Sequence, residues 1–75
     1  MEFKRDIEKN KSEIIRVSID EYKGEKLVNI RIFYKDKEGN WSPTKKGIAI
    51  RLDTFPKLKE VLDEIEDLIN DQKKQ

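Results

Sequence analysis

Alternation of apolar and polar side chains constrains the fold of this chain more than any other feature of its sequence. Two segments, residues 13–22 and 26–35, have an apolar residue at every second position. Successive side chains of a β-strand point to opposite faces, so both segments are predicted strands with one core face and one mixed face. The core-side residues are Ile15, Val17 and Ile19 in the first segment and Val28, Ile30, Ile32 and Tyr34 in the second.

The next part of the chain predicts two more strands. Residues 23–25 form a turn around Gly24, and residues 36–40 form a hairpin loop. Trp41 and Ser42 begin a short third strand, because a proline follows at position 43 and removes a backbone donor. A fourth strand covers residues 46–52. Its core-side residues are Ile48, Ile50 and Leu52, and its outward residues are Gly47, Ala49 and Arg51.

From Asp53 to about Gln72 the apolar period becomes helical. Asp53 or Thr54 is the predicted N-cap, and Pro56 is tolerated in the first turn. The apolar stripe is wide, so we expect part of it to cover the sheet and the rest to meet a second copy of the chain. A helix buried entirely against its own sheet is the competing interpretation. The stripe consists of Phe55, Leu58, Val61, Leu62, Ile65, Leu68 and Ile69.

The predicted fold class is α+β: a four-stranded antiparallel meander followed by one C-terminal helix that mediates a homodimer. With 75 residues the chain forms one domain. We place the ββββα domain at residues 13–72 and a short tail at 73–75. Residues 1–12 are a loosely ordered lead-in, for which frayed chain, a helical turn and an extra strand all remain open.

Composition excludes several classes of function. The sequence contains neither cysteine nor histidine, so disulfides, thiolate sites and the usual zinc sites are not available. The commonest general base and the strongest nucleophile are missing as well. We therefore expect no enzyme, no catalytic residues, no metal and no cofactor. We also expect an intracellular protein without a membrane segment, because the chain has no long apolar run and its start lacks a signal sequence.

Charge is segregated along the chain although the net charge is only +1. Residues 22–52 contain eight Lys and Arg against three Asp and Glu, whereas residues 53–72 contain two against seven. The basic segment also holds the tryptophan and both tyrosines. Cations that follow phosphates and flat rings that stack on bases are what a single-strand binder needs, and an acidic helix does not suit a duplex groove.

The motif order of residues 15–70 resembles the C-terminal domain of the transcriptional positive cofactor four family of coactivators. The similarity begins with the aromatic-Lys-Gly turn at residues 22–24 and the N-I-R strand end at Arg31. It continues with a ring at Tyr34, the turn at residues 36–39 and the segment from Pro43 to Ile48, and it ends with an aromatic residue early in the final helix.

This resemblance implies a helix-mediated homodimer that binds single-stranded DNA with little sequence preference, in transcription, replication or repair. It also implies a stacking ring at Tyr22 and phosphate contacts from several basic residues. Three positions depart from the family pattern, namely Glu25, Thr44 and Lys45. Composition and resemblance together give the predicted nucleic-acid site: Tyr22, Lys23, Lys26, Arg31, Tyr34, Trp41, Lys45 and Lys46.

Alternatives stay open at this stage. Trp41 is either a base contact or a hairpin residue that closes the sheet, and Lys45 and Lys46 are either phosphate contacts or lysines that protect a sheet edge. A protein-interaction module that uses the acidic helix or a sheet edge is the second function considered, and RNA binding by the same fold is the third. The expected partners are single-stranded DNA, a second copy and transcription or replication machinery. The expected location is the cytoplasm or nucleoid of a prokaryote, or a nucleus.

Overall fold

The computed structural model describes residues 2–73, which form four β-strands followed by one α-helix. All neighbouring strands are antiparallel, and they lie in one open sheet in the order β1-β2-β3-β4. The α+β prediction of a four-stranded meander followed by one helix is confirmed. The elements are β1 (Phe3–Asn10), β2 (Glu13–Tyr22), β3 (Glu25–Lys35), β4 (Trp41–Arg51) and α1 (Phe55–Lys73).

Two of the four strands differ from those predicted. Residues 3–10 form the edge strand β1 rather than a loose lead-in, because Phe3 and Ile7 pair with the core-side residues Ile19 and Ile15 of β2. The predicted third and fourth strands are one continuous strand, β4. Met1 and residues 74–75 of the predicted tail lie outside the described residues, and Lys73 is the last residue of α1.

A bulge allows β4 to continue through Pro43. Arg31 pairs with Gly47 and Phe33 pairs with Pro43, so one residue of β3 lies opposite three residues of β4. These three residues, 44–46, leave the regular ladder at the edge of the sheet, where a bulge is best tolerated. Proline is accepted at such a position because an edge strand does not need every backbone donor.

Strand register divides the sheet into two faces, since paired residues of antiparallel strands point to the same side. Sequence alternation predicted this division correctly, including the place of Tyr34, which pairs with Glu13. We call one side the polar face; it carries Asp6, Arg16, Ser18, Asn29, Arg31, Phe33, Lys35 and Trp41. We call the other side the apolar face; it carries Phe3, Ile7, Ile15, Val17, Ile19, Val28, Ile30, Ile48 and Ile50.

Helix α1 leaves the sheet instead of covering it. Thr54 provides the N-cap carbonyl, which accepts hydrogen bonds from the backbone amides of Lys57 at 3.1 Å and Leu58 at 3.3 Å. Phe55 lines an apolar cavity with Val28 and other apolar-face residues. No described residue of the helix is buried, and its apolar residues from Val61 onward are about half exposed. The expectation that part of the stripe covers the sheet of the same chain is met only at the start of the helix, where Phe55 lines the cavity on the apolar face.

The chain is extended, and its core is small. Ile14 and Val28 are the only buried apolar residues in the described part. The Cα radius of gyration is 14.9 Å, compared with about 11 Å for a compact domain of this length. No helix within residues 2–73 is long and apolar enough to cross a membrane. This geometry leaves part of the apolar face, and the helix stripe from Val61 onward, exposed in the single chain.

Candidate nucleic-acid interface

A row of charged residues crosses the polar face. Asp6 of β1, Arg16 of β2, Arg31 of β3 and Gly47 of β4 are successive cross-strand partners. Asp6 holds Arg16 through two hydrogen bonds, from Nε to Oδ1 at 2.8 Å and from Nη2 to Oδ2 at 3.2 Å. These bonds lower the pKa of Asp6 and raise that of Arg16. Arg16 and Arg31 thus lie side by side, and one carboxylate, that of Asp6 on β1, pairs with Arg16.

Rings on the polar face lie next to cations. The Arg16 guanidinium lies 4.4 Å from the centroid of the Phe33 ring, and Lys35 Nζ lies 5.5 Å from that of Trp41. Both distances are within the range for attraction between a cation and a ring. Positive charge is therefore held beside flat surfaces, which is the combination that an unpaired base and its phosphate require.

The β4 bulge orients Arg31. Thr44 lies in the bulge, and its hydroxyl donates a hydrogen bond to the Ile32 carbonyl at 2.7 Å and accepts one from the Lys46 amide at 3.1 Å. The Thr44 carbonyl accepts a hydrogen bond from Arg31 Nη1 at 2.9 Å. In the described part of the chain Arg31 forms no ion pair with a carboxylate. Its positive charge is therefore available to a ligand at the edge of the sheet.

Gly47 keeps the surface beside Arg31 low. A Cβ atom at this position would lie 2.7 Å from the Ile30 carbonyl oxygen and 2.9 Å from Arg31 Cα and Cβ. No side chain fits there without moving β4 away from β3. Gly47 carries no side chain because of this close approach, and beside Asn29 the neighbouring position carries only the small Ala49. The approach of a ligand to the sheet at this point stays a prediction.

The turn between β2 and β3 carries a strained lysine. Lys23 has a φ angle of 52° and Gly24 of 81°, as in a two-residue type I′ turn. Lysine is uncommon at positive φ, where asparagine or glycine is preferred. Lys23 Nζ lies 5.3 Å from the centroid of the Tyr22 ring, and the tyrosine is 63% exposed. The turn therefore presents a ring and a cation together.

The eight predicted site residues do not all lie on one face. Strand register places Tyr22, Arg31 and Trp41 on the polar face. It places Lys26, which pairs with Glu21, and Tyr34 on the opposite side. The remaining three, Lys23, Lys45 and Lys46, are exposed in the turn and the bulge.

Lys46 reaches the apolar side of the bulge. It lines a shallow pocket with Ile15, Ile30 and Ile48. Its charge also helps to lower the pKa of Glu13, although the hydrogen bond from Asn10 is the largest cause of that shift. Arg31, which strand register places on the polar face, also lines this pocket, so the two cations are adjacent at the β4 edge.

Sequence reasoning missed three residues of the polar face: Arg16, Phe33 and Lys35. Each was placed on the mixed side of its strand, but none was included in the predicted site. The available signal was strand pairing: once β2 and β3 are aligned, Arg16 lies opposite Arg31. Among the described residues no cluster of acidic side chains could hold a metal ion.

Comparison with known proteins assigns the family. The model of the family described as Transcriptional Coactivator p15 (PC4) matches residues 9–61. The chain belongs to this family. The family resemblance in the sequence is thereby confirmed. The matched segment includes three of the four residues of the row, Arg16, Arg31 and Gly47, but not Asp6 of β1.

Curated relatives of the PC4 chain come from animals and plants. It is 48% identical over 50 residues to an RNA polymerase II transcriptional coactivator of Drosophila melanogaster, covering 67% of this chain and 44% of the relative. It is 41% identical over 54 residues to the RNA polymerase II transcriptional coactivator KELP of Arabidopsis thaliana, covering 72% of this chain and 32% of the relative. The chain thus spans less than half the length of either relative.

Solved structures share the PC4 fold. A PC4 homolog from Burkholderia pseudomallei superposes with a TM-score of 0.78 at 29% identity, covering 83% of this chain and 84% of the other. A bacteriophage T5 homolog of the eukaryotic coactivator PC4, implicated in recombination-dependent DNA replication, superposes with a TM-score of 0.66 at 24% identity. That second match covers 97% of this chain and 90% of the phage protein. The second likeness concerns the fold alone.

Proposed function

We propose that this PC4-family chain binds single-stranded DNA with little sequence preference and has no catalytic activity. The observation that carries the proposal is the pairing of rings with cations on and beside the polar face, at Phe33 and Arg16, Trp41 and Lys35, and Tyr22 and Lys23. Stacking tolerates any base, and each stacked base contributes about 1–3 kcal/mol. Such a surface suits splayed bases better than the grooves of a duplex.

The bound strand would run from the Tyr22 turn across the polar face to the bulged edge of β4. This path uses Tyr22, Arg31 and Trp41 directly, and it ends beside the exposed lysines of the bulge, Lys45 and Lys46. A backbone that passes around this edge would reach cations on both sides of the sheet. Lys26 and Tyr34 lie on the other side and would contact the ligand only where the strand, or a partner subunit, continues there.

A homodimer is the second part of the proposal. The chain has an accessible surface of 6540 Å², whereas a compact monomer of its 9.0 kDa mass has about 4,900 Å². The excess of about 1,600 Å² is comparable to the area that each subunit buries in an obligate dimer. Apolar residues account for much of it, because Ile7, Ile48, Val61 and Leu68 are all more than half exposed. The helix stripe and the apolar face would meet a second copy.

A cellular role can be proposed from the names of the relatives. Relatives named RNA polymerase II transcriptional coactivators support a role as a transcription cofactor, and an accessory role in replication or repair remains the alternative. Because the chain spans less than half of those relatives, any partner in the transcription machinery belongs to the proposal as well.

Fluorescence anisotropy with labelled oligo-dT, the matched duplex and oligo-U tests the proposal across a salt series. We expect oligo-dT to bind more tightly than duplex at low salt, with an affinity that falls as salt rises because counterions are released from the phosphates. Absence of binding at low salt, or tighter binding to duplex, contradicts the proposal. Tighter binding to oligo-U redirects it to RNA.

A further inference from the structure

Two arginines directly opposite each other on neighbouring strands require an explanation. Arg16 and Arg31 are cross-strand partners on the polar face, and both are only partly exposed. Like charges at this position destabilise a sheet unless an anion lies close to both. Asp6 supplies one anion, but on the far side of Arg16 from Arg31. On its other side Arg31 faces Gly47, where no side chain stands because β4 approaches β3 so closely that a Cβ would lie 2.9 Å from Arg31 Cα and Cβ.

The donors of the two guanidinium groups are only partly used. Arg16 gives Nε and Nη2 to Asp6, which leaves Nη1 without a side-chain partner in the described residues. Arg31 gives Nη1 to the Thr44 carbonyl. Each arginine has five N–H donors in a planar fork that matches the oxygens of a phosphate. Unused donors on adjacent arginines are thus available to one bridging anion.

Arg16 is also held in place before any ligand arrives. The carboxylate of Asp6 fixes its guanidinium edge, and the centroid of the Phe33 ring lies 4.4 Å from the guanidinium carbon. Only 17% of the side-chain surface of Arg16 is exposed. A fixed arginine loses less conformational entropy on binding than a free surface lysine does.

We propose that Arg16 and Arg31 together bind one backbone phosphate of the single strand, and that Asp6 limits the affinity of this site by its negative charge. This inference rests on the proposed single-strand binding and adds to it a residue outside the predicted site. Asp6 orients Arg16 and at the same time repels the incoming phosphate. Strand β1, whose structure could not be chosen from the sequence, then contributes the group that sets binding strength.

Three single variants test the inference by anisotropy with oligo-dT across a salt series. Arg16→Gln should weaken binding about tenfold and reduce the slope of log K against log salt by about 1, as loss of one phosphate contact does. Asp6→Asn keeps an oxygen acceptor for Arg16 and removes the charge, so binding should tighten about threefold or more. Lys59→Gln, which removes a cation of the helix that pairs with Asp63, is the matched control and should change little.

The outcomes separate this inference from the proposed function. Failure of the wild-type chain to bind oligo-dT overturns both. If the wild type binds normally, either of two results overturns the phosphate site alone. One is an unchanged slope of log K against log salt in Arg16→Gln, and the other is equal or weaker binding in Asp6→Asn. Circular dichroism of each variant confirms that the sheet has folded, and the Asp6→Asn result remains decisive if Arg16→Gln does not fold.

Discussion

At the scale of single residues, Lys23 combines an unfavourable backbone with a favourable position. Its φ of 52° suits asparagine or glycine better than lysine. Residues that keep a strained conformation are concentrated at functional sites. If Tyr22 stacks on a base as proposed, the Lys23 cation beside its ring would lie where it can follow the phosphate of that base.

Lys23→Asn should therefore separate stability from binding. We expect the free energy of unfolding to rise by about 0.5–1 kcal/mol, because asparagine tolerates the left-handed conformation. Binding to oligo-dT should weaken, and the salt slope should fall by about 1. Urea unfolding and anisotropy measure the two effects. A variant that binds as tightly as the wild type would show that Lys23 does not contact the ligand.

Thr44 is the second informative residue, because one hydroxyl connects both sides of the β4 bulge. Thr44→Val preserves the shape of the side chain but removes its bonds to the Ile32 carbonyl and the Lys46 amide. We expect a loss of about 1–2 kcal/mol in stability and weaker oligo-dT binding, since Arg31 would lose its fixed acceptor. Thr44→Ser retains the hydroxyl and is the control; equal effects of both variants would contradict this role.

At the scale of elements, the sequence predicted regular pairing well and irregular pairing poorly. Strand β2 has the predicted bounds and β3 begins one residue earlier, because unbroken alternation is sufficient to define them. β1 has only Phe3 and Ile7 as apolar residues on its inner side, which is too little alternation to predict a strand, although it pairs with β2 directly across the two-residue turn at 11–12. In β4, Pro43 led to the prediction that a strand ends there. The strand continues through a bulge that is held by side-chain hydrogen bonds, and such a bulge has no simple sequence pattern.

The candidate site, like the strands, could be predicted only in part. Sequence identified Tyr22, Arg31 and Trp41 as candidate contacts, and pairing brings them to one face. It could not identify Arg16, because the importance of that arginine comes from its neighbours Asp6 and Phe33 on two other strands. Tyr34 was assigned correctly to the core-side face by alternation, whereas its role in binding remains a prediction.

Edge strand β1 should be sensitive to acid through its link to β2. The pKa of Asp6 is lowered in the fold, chiefly by the hydrogen bond from Arg16. A lowered native pKa means that the stabilising effect is complete above the pKa of the unfolded carboxyl, about 3.9, and is lost as the pH falls through the native value. Asp6→Asn should flatten this part of the stability curve below about pH 4.

Urea unfolding at several pH values, with the wild type and Asp6→Asn compared at each, measures this acid sensitivity. The loss should be small, since partly exposed pairs contribute about 1 kcal/mol or less. Glu13, whose pKa is also lowered, should produce a remaining acid dependence in the variant. Identical curves for both proteins would show that the Asp6–Arg16 pair does not stabilise β1.

At the scale of the whole molecule, the main question is how the chain remains folded when only two apolar residues among positions 2–73 are buried. Burial of about 1,600 Å² against a second copy would supply the missing core, at about 25 cal/mol for each apolar Å². Dimerisation would also leave the polar faces free, because the stripe and the apolar face are the surfaces consumed. Folding, assembly and ligand binding would then use separate surfaces of one small chain.

Ile65→Glu should disrupt this assembly. Ile65 lies in the middle of the helix stripe and is 47% exposed in the single chain, so a charge there would be buried without a partner in the dimer. We expect light scattering to give the mass of two chains for the wild type and of one chain, or unfolded protein, for the variant. The wild-type unfolding temperature should rise with protein concentration, as it does when folding and association are coupled.

Asn70→Glu is the matched control because it adds the same charge to the same helix but outside the apolar stripe. It should remain dimeric and bind oligo-dT like the wild type. A wild-type chain that scatters as a monomer, with an unfolding temperature independent of concentration, would contradict the dimer. Single-strand binding would then have to come from one sheet, and the exposed stripe would require another partner.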